Sequence, residues 1–428
     1  MFDNEIMTQG EKIRKYRMNI IGATQEEISK GVCTKTMISL IENNKEKLNS
    51  KLANAIAENF NRIAIEKGIN ISIITQKELM IDEDEQANYV FKNNILNGLQ
   101  KMEIDLFEQQ LDYAETLIEK HIIADDKKIE LYKLSADFYY YKHRYAKSDQ
   151  MCDIGLKISI NSKNVFEEVN FFIYKSRNNI FTENYVKALQ QLDYAEKLNN
   201  DIGNNELSIM IFYHKGLTYK KLGKYDSALK YFKILKQFEI KDYKMFLKVK
   251  MVYANCLNEH HKFDEAEKEY KQTLSIAMQC DDKDFIAQTY RNLSELYFNQ
   301  KDYKLSSTYI KESLIYGLNN EYRNESLYFG AKVLQNLNED VEQYLLEALE
   351  ICERKDRENS NLIKNIINEL LLIYMKREDE KNIELIVEKA KELHINCYLI
   401  YAQLIKYYRY RNEEKSTYFN DKLINKLK

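Results

Sequence analysis

The chain has 428 residues, of which 31% are charged and 44% hydrophobic, and its net charge is −3. It contains no proline and only 11 glycines, so long helices are allowed almost throughout. No apolar run reaches the ~18 residues of a membrane span, and the N-terminal segment lacks the apolar region of a signal peptide. We therefore expect a cytoplasmic, mostly helical protein that does not bind a membrane.

The first seventy residues have the pattern of a small helical bundle. Thr24 and Glu27 have the spacing of a capping box, which opens a short helix. That helix ends near Gly31, a residue that tolerates turn conformations. Thr34 caps a second helix that runs to about Asn43. A short capped helix, a tight turn and a second helix with polar outward residues are typical of a DNA-binding helix-turn-helix.

The second of these helices carries side chains that suit DNA. Lysine and hydroxyl groups can bond base edges and phosphates, and a leucine can contact a thymine methyl group. Gln25 begins the first helix, where its amide and the helix N-terminus suit a phosphate. The predicted DNA-binding residues are Gln25, Thr34, Lys35, Thr36, Ser39 and Leu40. The alternative for this segment is a helical bundle that serves only as a protein contact.

The segments TQEEI (from Thr24) and VCTKTMISLIEN (from Val32) resemble the Cro/C1-type, or XRE-like, helix-turn-helix. The turn is about one residue shorter than in the commonest form of that motif. A glycine, an aliphatic residue and a cysteine before the Ser/Thr-rich stretch make the segment similar to the peptide-sensing regulators grouped as RRNPP. In that wider family the glutamate of I-E-N pairs with an arginine of the first helix. The resemblance therefore implies an ion pair between Arg17 and Glu42.

Behind this segment the chain repeats itself. An aromatic residue at a predicted turn recurs with separations of 40, 40, 38 and 40 residues. The turn aromatics are Tyr145, Tyr185, Tyr225, Phe263 and Tyr303. Small residues lie nine before each aromatic (Ala136, Ser176, Gly216, Ala254, Ser294) and three after it (Ser148, Ala188, Ala228, Ala266, Ser306). This spacing is typical of tetratricopeptide-like hairpins, and weaker echoes extend it to about eight or nine hairpins.

These patterns predict an all-α fold with three segments. Residues 1–70 form a helix-turn-helix DNA-binding domain. Residues 71–90 change from β-branched to acidic composition and are interpreted as a linker helix. Residues 91–428 form a right-handed superhelix of tetratricopeptide-like hairpins, which we expect to bind a peptide and to dimerise.

The first helix of each hairpin is expected to line a concave face. Asparagine and glutamine can bond an extended peptide backbone as donor and acceptor, and arginine can hold a carboxylate. The predicted peptide-binding residues are Asn170, Arg177, Tyr213, Lys220, Asn255, Asn258, Gln288, Arg291 and Glu295. The alternative for each of them is a solvated polar side chain in a groove.

No motif for catalysis stands out. The phosphate-binding, dinucleotide-binding and zinc-protease signatures do not occur, and the six cysteines form no C-x-x-C pair. We therefore predict no enzyme activity, no metal site and no cofactor.

The resemblance to RRNPP regulators covers essentially the whole chain. It implies a quorum-sensing transcription regulator that binds a double-stranded DNA operator as a homodimer and responds to a short signalling peptide. The alternative is a repeat protein that inhibits a kinase or a response regulator, with its N-terminal bundle as a protein contact.

Overall fold

A computed structural model describes residues 5–99, 104–354, 360–395 and 397–427. These residues form helices, turns and connecting segments, without a β-strand among them. The all-α prediction is thus confirmed. By contacts the chain divides into two compact units, Met1–Lys221 and Leu222–Lys428, each of which is described by itself.

The first unit begins with a small bundle and continues into paired helices. One-turn π-helical segments extend the first helix (Tyr16–Ile20) and the sixth helix (Phe91–Leu96). The helices are α1 (Gln9–Lys15), α2 (Gln25–Ser29), α3 (Lys35–Glu42), α4 (Ser50–Glu66), α5 (Gln76–Met80), α6 (Glu83–Val90), α7 (Asn97–Leu99), α8 (Ile104–Lys120), α9 (Asp125–Tyr141), α10 (Tyr145–Asn161), α11 (Val165–Phe181), α12 (Tyr185–Ile202) and α13 (Asn205–Lys221).

The second unit is a series of antiparallel helix pairs. The helices are α14 (Tyr225–Leu235), α15 (Tyr243–Glu259), α16 (Phe263–Gln279), α17 (Lys283–Asn299), α18 (Tyr303–Tyr316), α19 (Arg323–Gln335), α20 (Glu342–Arg354), α21 (Ser360–Lys376), α22 (Glu380–Glu392), α23 (Tyr398–Tyr408) and α24 (Glu413–Leu427). Successive helices from α14 to α22 pack on one another, and α23 packs on α21 and α24. The last three pairs, α19 to α24, share one apolar core.

Each of the five predicted turn aromatics is the first residue of a helix, at the start of α10, α12, α14, α16 and α18. The residue two before the aromatic always has a positive φ angle, the conformation that commonly ends a helix. These residues are His143 (55°), Glu183 (62°), Gly223 (70°), His261 (59°) and Lys301 (65°). Four of the five are not glycine, so the hairpin turn holds this conformation without the residue that most favours it.

The ten small residues of the repeat pattern are all buried. In two hairpins they also exchange hydrogen bonds. The Ser148 hydroxyl donates to the Ala136 carbonyl at 2.8 Å, and the Ser294 and Ser306 hydroxyls each donate to the other's carbonyl at 2.8 Å. The paired helices thus meet at these positions, because no larger side chain separates their backbones.

Candidate DNA-binding and peptide-binding sites

The predicted caps and turn of the helix pair α2–α3 are confirmed. The Thr24 hydroxyl accepts from the Glu27 amide at 3.2 Å, and the Glu27 carboxylate accepts from the Thr24 amide at 2.6 Å. Thr34 caps α3 by accepting from the Met37 amide at 3.2 Å. Gly31 has a φ angle of +74° in the turn, where a side chain would strain the backbone.

A buried ion pair joins α3 to the segment that follows α1. Arg17 donates to both carboxylate oxygens of Glu42, from Nε at 2.6 Å and from Nη2 at 2.8 Å, so the implied pair is confirmed. Its Nη1 also donates to the Ala23 carbonyl at 3.2 Å. Gln25 Nε2 donates to the same carboxylate at 2.8 Å. One amide hydrogen of Gln25 is thus directed into the bundle, and its phosphate contact stays a prediction.

α3 buries one face and exposes the other. Ile38 and Ile41 are at most 1% exposed and face the bundle core. The predicted contact residues divide by position along the helix. Thr34, Lys35 and Thr36 are exposed at its N-terminal end, whereas Ser39 and Leu40 are half-buried farther along. The surface open to a ligand is therefore the first turn of α3.

Exposed lysines lie before, within and after α3 in the chain. They are Lys30 at the end of α2, Lys35 in α3, and Lys45, Lys47 and Lys51 between α3 and the first turn of α4. None of the five forms an ion pair within the described part of the chain. Exposed lysines without a carboxylate partner are the chemistry that neutralises phosphates.

In the first unit, the predicted site residue Arg177 lies among aromatic rings. Its guanidinium carbon is 3.7 Å from the ring centre of Tyr140 and 4.6 Å from that of Tyr174. Its Nη2 is 2.8 Å from an Asp137 carboxylate oxygen. Nε and Nη2 nevertheless make no hydrogen bond of good geometry with the described residues, although both atoms are buried. An arginine in this state can still take an acceptor oxygen from a ligand.

The other predicted residues of this unit are less closely grouped. The Asn170 amide donates to Glu167 at 3.1 Å, and Glu167 also pairs with Lys133 of α9 at 2.8 Å. Tyr213 is half-buried, and desolvation raises the pKa of its hydroxyl to about 12, so it stays a protonated donor at neutral pH. Lys220 is half-buried in the last turn of α13.

In the second unit, two predicted asparagines of α15 are engaged within the protein. The Asn255 carbonyl accepts from the Tyr270 hydroxyl at 2.6 Å, which leaves its NH₂ group to donate. Asn258 is only 4% exposed, and its carbonyl accepts from Asn299 at 3.3 Å. Asn258 therefore differs from the expected open groove residue, because the end of α17 covers it.

The remaining three predicted residues lie on α17. Gln288 and Arg291 line one small cavity of about 10 Å³, which is about the room of one water molecule. Arg291 pairs with Glu325 of α19 at 3.1 Å. Glu295 is exposed. Gln288 and Arg291 are thus brought together, whereas Glu295 lies apart from their cavity.

The sequence prediction missed the partners of Arg177. Asp137 comes directly after the small residue Ala136. Arg177 comes directly after Ser176, the equivalent small residue of the next hairpin. Because α9 and α11 are neighbours in the array, these equivalent positions face each other. Tyr140 is likewise four residues after Ala136, as the predicted residues Lys220 and Asn258 are four residues after Gly216 and Ala254. The signal was present in the hairpin of Ala136, which contributes no residue to the predicted peptide-binding set.

Comparison with solved structures places the chain among helical-repeat proteins. A signal-transduction ATPase with a tetratricopeptide-repeat sensor from Pyrococcus horikoshii aligns with a TM-score of 0.53 and 15% identity, over 98% of this chain and 63% of that chain. The fold is a tetratricopeptide-like repeat fold. This agrees with the 40-residue period and confirms the predicted repeat type.

Other structural neighbours are members of the RRNPP group. The apo quorum sensor NprR from B. thuringiensis has a TM-score of 0.48 and 15% identity, over 81% of this chain and 100% of that chain. A Rap protein complexed with competence and sporulation factor has a TM-score of 0.48 and 12% identity, over 80% and 97%. No family model and no curated protein matches the chain. Within the described ranges, no helix is both long and apolar enough to cross a bilayer.

Proposed function

We propose that this protein is a DNA-binding transcription regulator controlled by a short signalling peptide. The observation that carries the DNA part is the first turn of α3. It exposes Thr34, Lys35 and Thr36, while the Arg17–Glu42 pair holds the other end of the helix in the bundle. A fixed helix with an exposed polar end and unpaired lysines around it suits the major groove and the adjacent phosphates.

The peptide part is supported by the polar faces of the first helices in each hairpin. Arg177 retains buried N–H groups that lack a hydrogen-bond partner of good geometry, and a peptide carbonyl or carboxylate would supply one. In the second unit the Asn255 NH₂ group, Gln288 and Glu295 offer further donors and acceptors. Asn258 is left out of this set because it is buried.

The regulator acts as a cytoplasmic homodimer, with one α3 helix for each half of an operator. Two equivalent recognition helices read half-sites about one helical turn apart. The peptide can change the affinity for the operator only if it binds one conformation of the dimer more tightly than another. The size of the change is limited by that difference in peptide affinity. In this proposal the protein carries out no catalytic step and needs no cofactor.

One purification tests both parts. The full chain is isolated from its own cells, bound peptides are identified by mass spectrometry, and the chain is used to select duplexes from a random DNA pool. Lys35→Ala/Thr36→Ala is expected to lose at least tenfold in affinity for the selected duplex, because base and phosphate contacts are each worth about 1–3 kcal/mol. The control is Lys157→Ala, which removes an exposed lysine on α10.

The result also separates the proposal from its rival. If the double variant binds the duplex as tightly as the wild type does, α3 is not the DNA contact. If the wild-type chain selects no duplex but captures a kinase or a response regulator, the N-terminal bundle is a protein contact. If a peptide is recovered, Arg177→Ala should weaken its binding in calorimetry, and unchanged affinity removes Arg177 from the site.

A further inference from the structure

The segment 71–90, expected to be a linker, belongs to two hydrophobic cores. Ile74 and Leu79 are at most 3% exposed and lie in the core of the N-terminal bundle. Ala87 is fully buried and Val90 is 5% exposed, and both lie in the core of the first helical hairpins. The chain thus passes from one core to the other between Leu79 of α5 and Ala87 of α6, inside the first unit.

On the bundle side, Gln86 of α6 bonds the backbone of the chain's N-terminal segment. Its Oε1 accepts from the Met7 amide at 3.2 Å, and its Nε2 donates to the Met7 carbonyl at 2.7 Å. Gln86 is 7% exposed, so water cannot readily replace either bond. Gln9 adds a bond to the Met80 carbonyl at 2.8 Å, and the buried Lys12 donates to the Glu78 carbonyl at 3.2 Å.

On the hairpin side, Asn88 of α6 bonds the turn that leads into α9. Its Nδ2 donates to the Ile122 carbonyl at 2.7 Å, and its Oδ1 accepts from the Ala124 amide at 3.0 Å. The Lys127 ammonium donates to the backbone carbonyl of Asn88 at 3.1 Å and to its side-chain Oδ1 at 3.0 Å. One turn earlier, Asp84 accepts from the Ile122 amide at 3.0 Å. α6 is therefore held by side-chain bonds to the backbone on both of its sides.

A chain segment that moves as a hinge has few buried contacts and exposed backbone hydrogen bonds. α6 has the opposite character, because Ala87 and Val90 are buried and its two amide side chains each bond both a backbone N–H and a backbone C=O. Gln86 and Asn88 are also two residues apart on a helix, so they point to different sides. Each can therefore bond a different element without competing with the other.

We propose that α6 is a rigid coupling element, in which Gln86 fastens the DNA-reading bundle and Asn88 fastens the first hairpins. The bundle then turns only together with those hairpins, and regulation reaches α3 through movement of this whole assembly rather than through bending of residues 71–90. The regulatory part of the inference rests on the proposed function, whereas the rigidity of α6 does not.

Hydrogen exchange of the full-length protein, followed by mass spectrometry, tests the rigidity without DNA or peptide. In the wild type, the amides of Met7 and of α6 should exchange as slowly as those of α4. In Gln86→Ala, the Met7 amide should exchange about tenfold faster or more, since one of its bonding partners is lost, while α4 stays unchanged. Asn88→Ala should speed exchange at Ala124 instead.

The matched control is Asn93→Ala. The Asn93 amide is exposed and, among the residues that the structure describes, bonds only to the Tyr89 carbonyl one turn earlier, so exchange at Met7 and Ala124 should not change. The inference is overturned if the wild-type α6 amides exchange as fast as those of exposed turns. It is also overturned if the Asn93 and Gln86 variants behave alike.

A second measurement tests the regulatory part. Duplexes selected by the wild-type chain are altered by one or two base pairs between the half-sites. The wild type should lose affinity steeply, whereas Gln86→Ala/Asn88→Ala should bind all spacings within about threefold, because its bundles are free to turn. An equally steep loss in the double variant overturns the coupling. If no duplex is selected, the proposed DNA function falls while the exchange result still decides the rigidity.

Discussion

The Arg17 guanidinium and the Glu42 carboxylate form a bidentate ion pair, and their side chains are only 12% and 3% exposed. Arg17 follows α1 and Glu42 ends α3, and Gln25 of α2 donates to the same carboxylate. One carboxylate therefore connects three parts of the bundle. Because the pair is buried, each partner depends on the other to offset the loss of its hydration.

Removing one partner of this pair should destabilise the N-terminal bundle strongly. Arg17→Ala leaves the Glu42 carboxylate buried with only Gln25 as donor, and we expect the free energy of unfolding to fall by about 3–5 kcal/mol. Native-state hydrogen exchange of the α1 and α3 amides measures this locally. The control is Arg62→Ala, which breaks the exposed Arg62–Glu66 pair and should cost at most ~0.5 kcal/mol. Similar losses in the two variants would contradict a buried, interdependent pair.

The features that sequence predicted well are local or periodic. The Thr24–Glu27 capping box depends on residues three apart, and the hairpins depend on small and aromatic residues that recur about every 40 residues. Such patterns can be read without knowing how distant segments meet. The Arg17–Glu42 pair spans 25 residues, and it was predicted from a family resemblance rather than from spacing.

The features that sequence did not predict depend on how one element lies on another. Asp137 pairs with Arg177 because neighbouring hairpins set equivalent positions face to face. Asn258 is buried because the end of α17 covers it. Gln86 bonds Met7 across 79 residues, a contact that the composition of the 71–90 segment does not indicate. These outcomes follow from tertiary contacts, which no single repeat encodes.

Salt dependence should separate phosphate contacts from base contacts at α3. Lys35 is exposed and unpaired, so Lys35→Ala should weaken binding to a selected duplex and reduce the slope of log K against log salt by about one unit. Thr36→Ala has no charge to remove, and its slope should equal that of the wild type. Fluorescence anisotropy at about 50–200 mM salt measures both. An unchanged slope in Lys35→Ala would show that this lysine contacts no phosphate.

Two helical glycines should respond in opposite ways to alanine. A Cβ atom on Gly155 of α10 would lie 2.1 Å from the ring of Phe171, which is fully buried and would have to shift within a packed core. Gly155→Ala should therefore destabilise the first unit by about 1–3 kcal/mol. At Gly330 of α19 the nearest atoms are 3.4 Å away, so Gly330→Ala should be neutral or stabilise by up to about 1 kcal/mol through helix propensity. Thermal unfolding followed by circular dichroism compares the two, and an unchanged or raised stability of Gly155→Ala would contradict the packing at Gly155.

Glu269 of α16 should make the second unit sensitive to acid. Burial raises the pKa of its carboxyl, but hydrogen bonds from Lys236 at 2.6 Å and Lys250 at 2.8 Å outweigh this and hold the pKa below its ordinary value of 4.5. A carboxyl with a lowered pKa binds its proton less readily in the folded state than in the unfolded state. Its stabilising contribution is therefore complete above pH 4.5 and is lost as the pH falls through the lowered pKa.

Urea unfolding at a series of pH values from about 6 to 3 measures this contribution. The wild-type free energy of unfolding should fall with pH below 4.5 more steeply than that of Glu269→Gln, which has no proton to bind at this position. Glu265→Gln is the matched control, because Glu265 is exposed on the same helix. Its profile should run parallel to that of the wild type. If Glu269→Gln also runs parallel to the wild type, the two lysines do not stabilise the ionised carboxylate.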